Sequence, residues 1–141
     1  MKKILNCLLY LWQLPQNIIG LMLLFIYYEG ILLKAKNGNI ICFSSKMKGG
    51  ISLGRYSIIS KHYFVNYKTE RGAVNSNVAR HEAIGHGTQS RMLGPLYLLV
   101  IGIPSLIWAT LYGNVILPDN MTYYDFYTEK WADRLAKIKR K

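Results

Sequence analysis

Leu96-Tyr97-Leu98-Leu99-Val100-Ile101-Gly102-Ile103-Pro104-Ser105-Leu106-Ile107-Trp108-Ala109-Thr110-Leu111-Tyr112 is the stretch on which the architecture turns. It is apolar enough to enter a membrane, and Gly102-Ile103-Pro104-Ser105 interrupts it at the midpoint. Run straight, residues 94–114 cross a hydrocarbon core of ~30 Å and leave their two flanks on opposite sides. Folded back at the breaker as two half-length helices, it returns the chain to the side it left. The block Ile4–Tyr28 poses the same choice. Gln13-Leu14-Pro15-Gln16-Asn17 puts amides and a proline at its centre, and amides at bilayer depth need partners. Its length fits either one spanning helix or a hairpin of Ile4–Leu14 and Ile18–Tyr28 turning at Pro15. Charge favours the hairpin, because Lys2 and Lys3 precede the block and many lysines follow it. A straight span puts one basic flank on the wrong side.

Working outward, 141 residues make one domain by size. Residues 4–28 and 94–114 are its apolar segments, and the formal charge of +11 gathers between and after them. Lys34, Lys36, Lys46, Lys48, Arg55, Lys61, Lys68, Arg71 and Arg80 fill the middle, and Lys130, Arg134, Lys137, Lys139, Arg140 and Lys141 end the chain. Beside apolar blocks, anionic lipid headgroups are a simpler partner for these cations than nucleic acid. Cys7 and Cys42 are too few and too far apart for a disulfide framework. No small-x-small cleavage site follows the N-terminal apolar run, so it reads as a retained membrane segment rather than a signal peptide. Localisation is expected at a membrane, with the basic segments on its cytoplasmic side.

Residues 30–60 read as a small antiparallel sheet of three strands. Ile31–Lys36 and Ile40–Phe43 flank Asn37-Gly38, a dipeptide of tight hairpins. Ile51–Ile59 alternates, with Gly54 suggesting a bulge. His62–Ala73 reads as loop or irregular strand, and His62 as a surface histidine. Asn75-Ser76-Asn77 offers caps for a helix over 77–93, ended or kinked by Gly94-Pro95. Thr122-Tyr123-Tyr124-Asp125 has the shape of a capping box for a final helix within 122–140. The fold class is α+β.

Three histidines and seven acids make up the whole supply of metal-ligating groups besides the cysteines. Two of those histidines flank one of those acids in His81-Glu82-Ala83-Ile84-Gly85-His86. Two imidazoles and a carboxylate are the ligand set of a catalytic zinc, and a further glutamate is the usual base. His81 and His86 are five apart, so a regular helix rotates them by about 140° onto different faces. A one-residue π-bulge restores convergence, and Gly85 makes the distortion plausible. A plainer reading remains open: Glu82 and His86 form an i, i+4 pair, and Glu129 and Asp133 pair with Lys130, Arg134 or Lys137. Gln89, Ser90 and Arg91, a turn beyond His86, read as helix-end packing, with substrate contact as the alternative. Any one of Tyr123, Tyr124 and Tyr127 fits a hydrogen bond to a tetrahedral oxyanion.

The His81-Glu82-x-x-Gly85-His86 spelling resembles the zinc motif of the dipeptidyl peptidase III family, which carries the same extra residue. Glu129-Lys130-Trp131-Ala132-Asp133-Arg134 resembles the Glu-x-x-Ala-Asp-Arg segment of membrane-embedded CAAX prenyl protease-like zinc peptidases. The resemblance implies a membrane metallopeptidase in which His81, His86 and Glu129 bind Zn²⁺. Asp133 then steadies His81 or His86, and Glu82 is the general base. Gln89–Tyr97 and Tyr127–Arg134 are also similar to segments of a group of short, uncharacterised bacterial membrane proteins, a likeness that implies no activity. The expected function is a membrane-associated zinc hydrolase acting on a peptide or protein. Its alternative is a non-catalytic basic membrane protein with a structural metal site or none.

Overall fold

The computed structural model describes residues 1–65, 67, 69–114 and 118–140. Lys68 and Lys141 of the basic set lie outside the described residues. The architecture is α+β. Helices α1 (Lys2–Trp12) and α2 (Leu14–Tyr27) meet at an 87° elbow. Four strands follow, β1 (Leu32–Lys34), β2 (Ile40–Ser44), β3 (Gly50–Leu53) and β4 (Tyr56–Ser60). Short helices α3 (His62–Val65) and α4 (Glu70–Val74) lead to α5 (Asn77–Leu96), α6 (Leu98–Asn114) and α7 (Tyr127–Leu135).

The sheet is mixed, not antiparallel, and has one strand more than the sequence suggests. Its order is β1-β2-β4-β3, with β2 and β4 parallel. The Asn37-Gly38 hairpin forms, pairing Lys34 with Ile40. The correction comes at Gly54, which holds φ +63°. A left-handed glycine serves a two-residue loop as well as a bulge, and with Leu53 paired to Tyr56 the stretch Ile51–Ile59 folds into the β3–β4 hairpin instead of one strand. Every residue of β4 is buried. Ile41, Phe43 and Ile59 pack against Ala73, Ala79 and Ala83, which seats α5 across the sheet. The segment expected as loop over 62–73 carries α3 and α4, with the Thr69 hydroxyl accepting from the Gly72 N–H as an N-cap (3.1 Å).

Neither apolar block folds back at its expected midpoint. The first breaks at Gln13, with Pro15 in the first turn of α2. In the second, α6 runs through Gly102–Pro104 without reversing; the 120° turn lies between α5 and α6, at Gly94–Tyr97, where Gly94-Pro95 was expected to end or kink the helix over 77–93. The physical reason is shared. Proline lacks an N–H and is tolerated in a first turn, where that donor has no helical partner. Pro104 therefore sits at the start of the α-helical part of α6, after a π turn over Leu98–Gly102. The carbonyl four residues before it, on Val100, accepts a hydrogen bond from the Tyr127 hydroxyl (2.6 Å). Among the described residues no single helix is long and apolar enough to cross a membrane, although each bent pair passes that test as a unit.

The α1–α2 elbow is pinned by its amides. Gln16 Nε2 donates to Ser90 Oγ (3.0 Å) and to the Gly94 carbonyl (2.8 Å). Ser90 Oγ donates to Gln13 Oε1 (2.9 Å), and the Arg55 N–H donates to Asn17 Oδ1 (2.9 Å). The elbow thus grips the C-terminal end of α5 and the β3–β4 turn. Ser90 and Arg91 lie at that junction, the Arg91 carbonyl accepting from Trp12 Nε1 (3.0 Å).

Candidate metal centre

The centre forms where α5 meets α7. Ser76 caps α5, its hydroxyl accepting from the Ala79 N–H (3.2 Å). The next turns, Arg80–His86, are a π-helix. Its i→i+5 closure brings residues five apart toward one face, so the anticipated bulge is present. The His81 and His86 rings stand edge to face with centroids 4.8 Å apart.

Gly85 has a second role that its place in the motif does not reveal. A Cβ there would lie 2.5 Å from the Ala132 carbonyl oxygen of α7. Only a glycine lets the two helices come this close, and that approach delivers Glu129 and Asp133. The α7 helix is shorter than the expected 122–140, ending at Leu135. The Thr122–Asp125 box is real, with Asp125 Oδ2 accepting from the Thr122 N–H (2.7 Å), but it heads a short 3-10 turn ahead of α7.

Glu129 Oε2 lies 3.0 Å from His81 Nε2 and 3.5 Å from His86 Nε2. Ligand atoms about 2.0–2.1 Å from a tetrahedral zinc stand roughly 3.3 Å from one another, so these separations bracket what such an ion needs. All three side chains are buried. The other ring nitrogen of each histidine is engaged. His81 Nδ1 pairs with Asp133 Oδ1 (2.7 Å), and His86 Nδ1 with Gln89 Oε1 (2.7 Å). Gln89 Nε2 donates to the Thr128 carbonyl (2.9 Å), which fixes its oxygen toward His86. Each Nδ1–H is thereby committed outward and each Nε2 is turned inward, the arrangement that outer carboxylates and amides impose on metal-binding histidines. Asp133 is itself gripped by Arg140 through Nε (2.6 Å) and an η nitrogen (3.0 Å). The second oxygen of Glu129 accepts from Ser105 Oγ (2.5 Å) and Thr128 Oγ1 (3.0 Å).

Electrostatics bind the cluster together without a metal. Burial opposes the charged form of His81, but hydrogen bonds to Asp133 and Glu129 outweigh it and hold the imidazole up to about 9. Burial likewise opposes charge on Glu129, and hydrogen bonds from His81 and His86 reverse the balance, pulling it well below the ordinary carboxylate range. Asp133 is lowered the same way, against burial, by His81 and Arg140. A proton on His81 thus occupies the electrostatic position a cation would fill.

Glu82 stands beside this set. His81, Glu82 and His86 offer ligand atoms all within 4.8 Å of one another. The Ser52 hydroxyl, itself bonded to Ser57 (2.9 Å), donates to Glu82 Oε2 (2.7 Å). Glu82 packs so tightly on β3 that a Cβ at Gly50 would lie 2.5 Å from its Oε1. A cavity of about 520 Å³ opens at this end and is lined there by Glu82, His86, Glu129 and Tyr123. Of the three tyrosines considered, Tyr123 alone lines it. Tyr124 lies edge-on to the His81 ring under the Arg140 guanidinium, and the Tyr127 hydroxyl is spent on Val100. Burial first, then the negative charge of Glu129, push the Tyr123 phenol far up, so it stays a donor.

All five residues singled out by motif, His81, Glu82, His86, Glu129 and Asp133, gather here, while His62 is exposed on α3. Asp133 serves His81. Gln89, read from sequence as packing, serves His86; its place three residues beyond His86 on the same helix was the available signal. Ser52, Ser105 and Thr128 carried none, since a lone hydroxyl is legible only after folding. No family model, curated protein or solved structure matches the chain.

Proposed function

We propose that the protein is a membrane-associated zinc-dependent hydrolase, a metallopeptidase. Its ligands are His81, His86 and Glu129, and its general base is Glu82. The observation that carries this reading is the convergence of the two Nε2 atoms on one oxygen of Glu129, with a fourth side open to a cavity that also holds Glu82. A zinc ion there supplies Lewis acidity, lowering the pKa of its water toward ~7 and polarising a scissile carbonyl. Asp133 and Gln89 each accept from an Nδ1–H and fix the ring's direction, so that each Nε2 would face the ion once zinc has displaced the second proton of His81. Glu82 takes the proton released as the water oxygen adds to the carbonyl carbon, and returns it to the leaving nitrogen as the C–N bond breaks. The Tyr123 hydroxyl donates to the carbonyl oxygen as charge gathers on it.

The membrane placement rests on the exposed apolar faces of α1, α2 and α6, among them Leu5, Leu8, Ile18, Met22, Leu99 and Ile107. We place α1, α2 and α6 within one leaflet, entered from the cytoplasmic side, with the basic residues against anionic headgroups.

One observation favours a second reading. Glu82 lies close enough to both histidines to be a fourth ligand, and a closed four-ligand shell is the structural form of zinc site. The test is elemental analysis with two variants. The purified wild-type protein is expected to carry about one zinc per chain, and His86→Ala to carry none; full metal retention in His86→Ala refutes the ligand set. Glu82→Gln is expected to keep its zinc and lose peptide hydrolysis. Zinc loss in Glu82→Gln favours the closed structural site instead.

A further inference from the structure

β3 is an edge strand, and the direction of its free main-chain groups can be read from the ladder. The Ser60 N–H donates to the Gly49 carbonyl (2.8 Å), which makes Gly49 and Ser60 a hydrogen-bonded pair. Such pairs alternate along an antiparallel ladder. Ile51 and Leu53 therefore bond to β4, while the amides and carbonyls of Gly50 and Ser52 face away from it. The Tyr97 hydroxyl, which donates to the Ser52 carbonyl (2.8 Å), supports this parity. Tyr97 also closes one end of the edge. Beyond it the Gly50 amide, the Gly50 carbonyl and the Ser52 amide face the same way. These groups belong to residues that line the same cavity as Glu82, and Ser52 Oγ is 2.7 Å from that carboxylate.

The other end of the cavity is apolar, with Leu23, Ile51, Leu98 and Ala109 in its walls. Three further lining residues, Ile19, Ile103 and Leu106, are 41%, 49% and 58% exposed. They belong at once to the cavity and to the outward apolar faces of α2 and α6. The mouth therefore opens onto the greasy belt of the molecule.

We propose that the substrate is an extended, apolar peptide segment drawn from the lipid phase between α2 and α6, which adds as a short strand to the free edge of β3. Main-chain pairing with Gly50 and Ser52 fixes its register. Alternate side chains fall into the apolar cavity, and the paired backbone brings one peptide carbonyl in front of Glu82. The main-chain donors and acceptor in the wall favour a peptide over an acyl chain, which offers nothing for them to bond. This inference rests on the hydrolase reading for its consequence but not for its test.

The experiment uses full-length protein carrying Glu82→Gln, zinc-loaded, in phosphatidylcholine–phosphatidylglycerol vesicles. The probe is a Leu/Val/Ala-rich peptide with a benzophenone side chain, partitioned into the same vesicles. Crosslinks are expected within residues 50–53 and on α6. N-methylating the probe's backbone amides is expected to cut capture about tenfold, the worth of about one strand hydrogen bond. Leu106→Arg at the mouth should reduce capture comparably, and Leu106→Trp serves if the arginine variant does not fold. Undiminished capture of the N-methylated probe overturns strand addition. Preferential capture at Gly50–Leu53 of a photoactivatable single-chain lipid overturns the substrate class, as does capture of neither probe. Zinc is measured on the same sample. Metal without capture sinks this inference alone, whereas capture without metal sinks the hydrolase reading alone.

Discussion

Two clusters of buried polar side chains lie at opposite ends of α5, and they do different work. At the elbow, Gln13, Gln16 and Asn17 are fully buried neutral amides. Their hydrogen bonds fan out to separate partners on α1, α5 and the β3–β4 turn. Gln16 Oε1 is the one buried side-chain polar atom without a partner among the described residues. At the metal centre the buried groups are imidazoles and carboxylates, and they aim at each other. Neutral amides met nearly one for one contribute modestly and hold elements in register. Burying charges is far costlier, and a buried ion pair is seldom the more stable choice over apolar packing. The elbow therefore reads as a structural clamp. The second cluster, with two Nε2 atoms facing one oxygen, reads as a receptacle for a cation.

The sharpest way to break this comparison is to remove the cation site without touching a ligand. Gly85→Leu puts side-chain atoms where the Ala132 carbonyl lies. It should push α7 away from α5 and abolish zinc binding, while circular dichroism keeps the sheet and helix signals. A Gly85→Leu protein that still holds one zinc would mean that the close approach of α5 and α7 is not what assembles the centre.

Next in size is Tyr123→Phe. If its hydroxyl steadies the oxyanion, kcat should fall about 10²–10³-fold, as for loss of one such donor elsewhere, with zinc content and KM little changed. A loss of binding instead of turnover would reassign Tyr123 to substrate contact.

The two clusters can then be set against each other directly. Asp133→Asn should weaken zinc binding about 10–100-fold, the usual effect of removing an outer partner of a ligand histidine. Gln16→Ala should leave zinc affinity alone and cost about 1–3 kcal/mol of stability, because Ser90 Oγ and the Gly94 carbonyl lose a buried partner. Titration calorimetry and denaturant unfolding on both variants give a two-by-two answer. Any outcome in which Gln16→Ala costs as much zinc affinity as Asp133→Asn erases the distinction.

The sequence carries the centre better than it carries the fold around it. His81, Glu82 and His86 were legible because imidazoles and carboxylates are scarce in this chain and fall together in one short segment, whereas Glu129 and Asp133 stood out only through the resemblance of Glu129–Arg134 to a peptidase segment. The π turn was legible only on the metal reading, because histidines five apart converge on one ion only if the helix gains a residue in that turn. The breaks were misplaced because a proline marks where a helix begins as readily as where one ends. Pro15 and Pro104 both start helical runs, so the first bend falls earlier, at Gln13, and the second at Gly94–Tyr97, where Gly94-Pro95 did signal the end of the preceding helix. The β2–β4 parallel pairing was illegible for another reason. Strand alternation reports which face is buried, and not the direction of the neighbour.

The smallest effect expected is a titration, and it separates the clusters by charge. In the metal-free protein His81 is held up to about 9, against opposing burial, by Asp133 and Glu129, whereas an unfolded histidine titrates near ~6.5. A group whose folded pKa is raised adds stability that is fully present below its unfolded value and lost as pH climbs through the folded one. The metal-free protein should therefore melt at progressively lower temperature between about pH 6.5 and 9. Zinc needs the neutral ring, so over the same window its affinity should rise about tenfold per pH unit as one fewer proton must be displaced. Stability without zinc and stabilisation by zinc then run in opposite directions with pH, while the amides of the elbow add nothing to either slope. Calorimetry in buffers of different ionisation heat counts the proton released per zinc. Zinc binding below pH 8 with no proton released would show that His81 is neutral in the empty centre, and would remove the charge contrast on which the comparison of the two clusters stands.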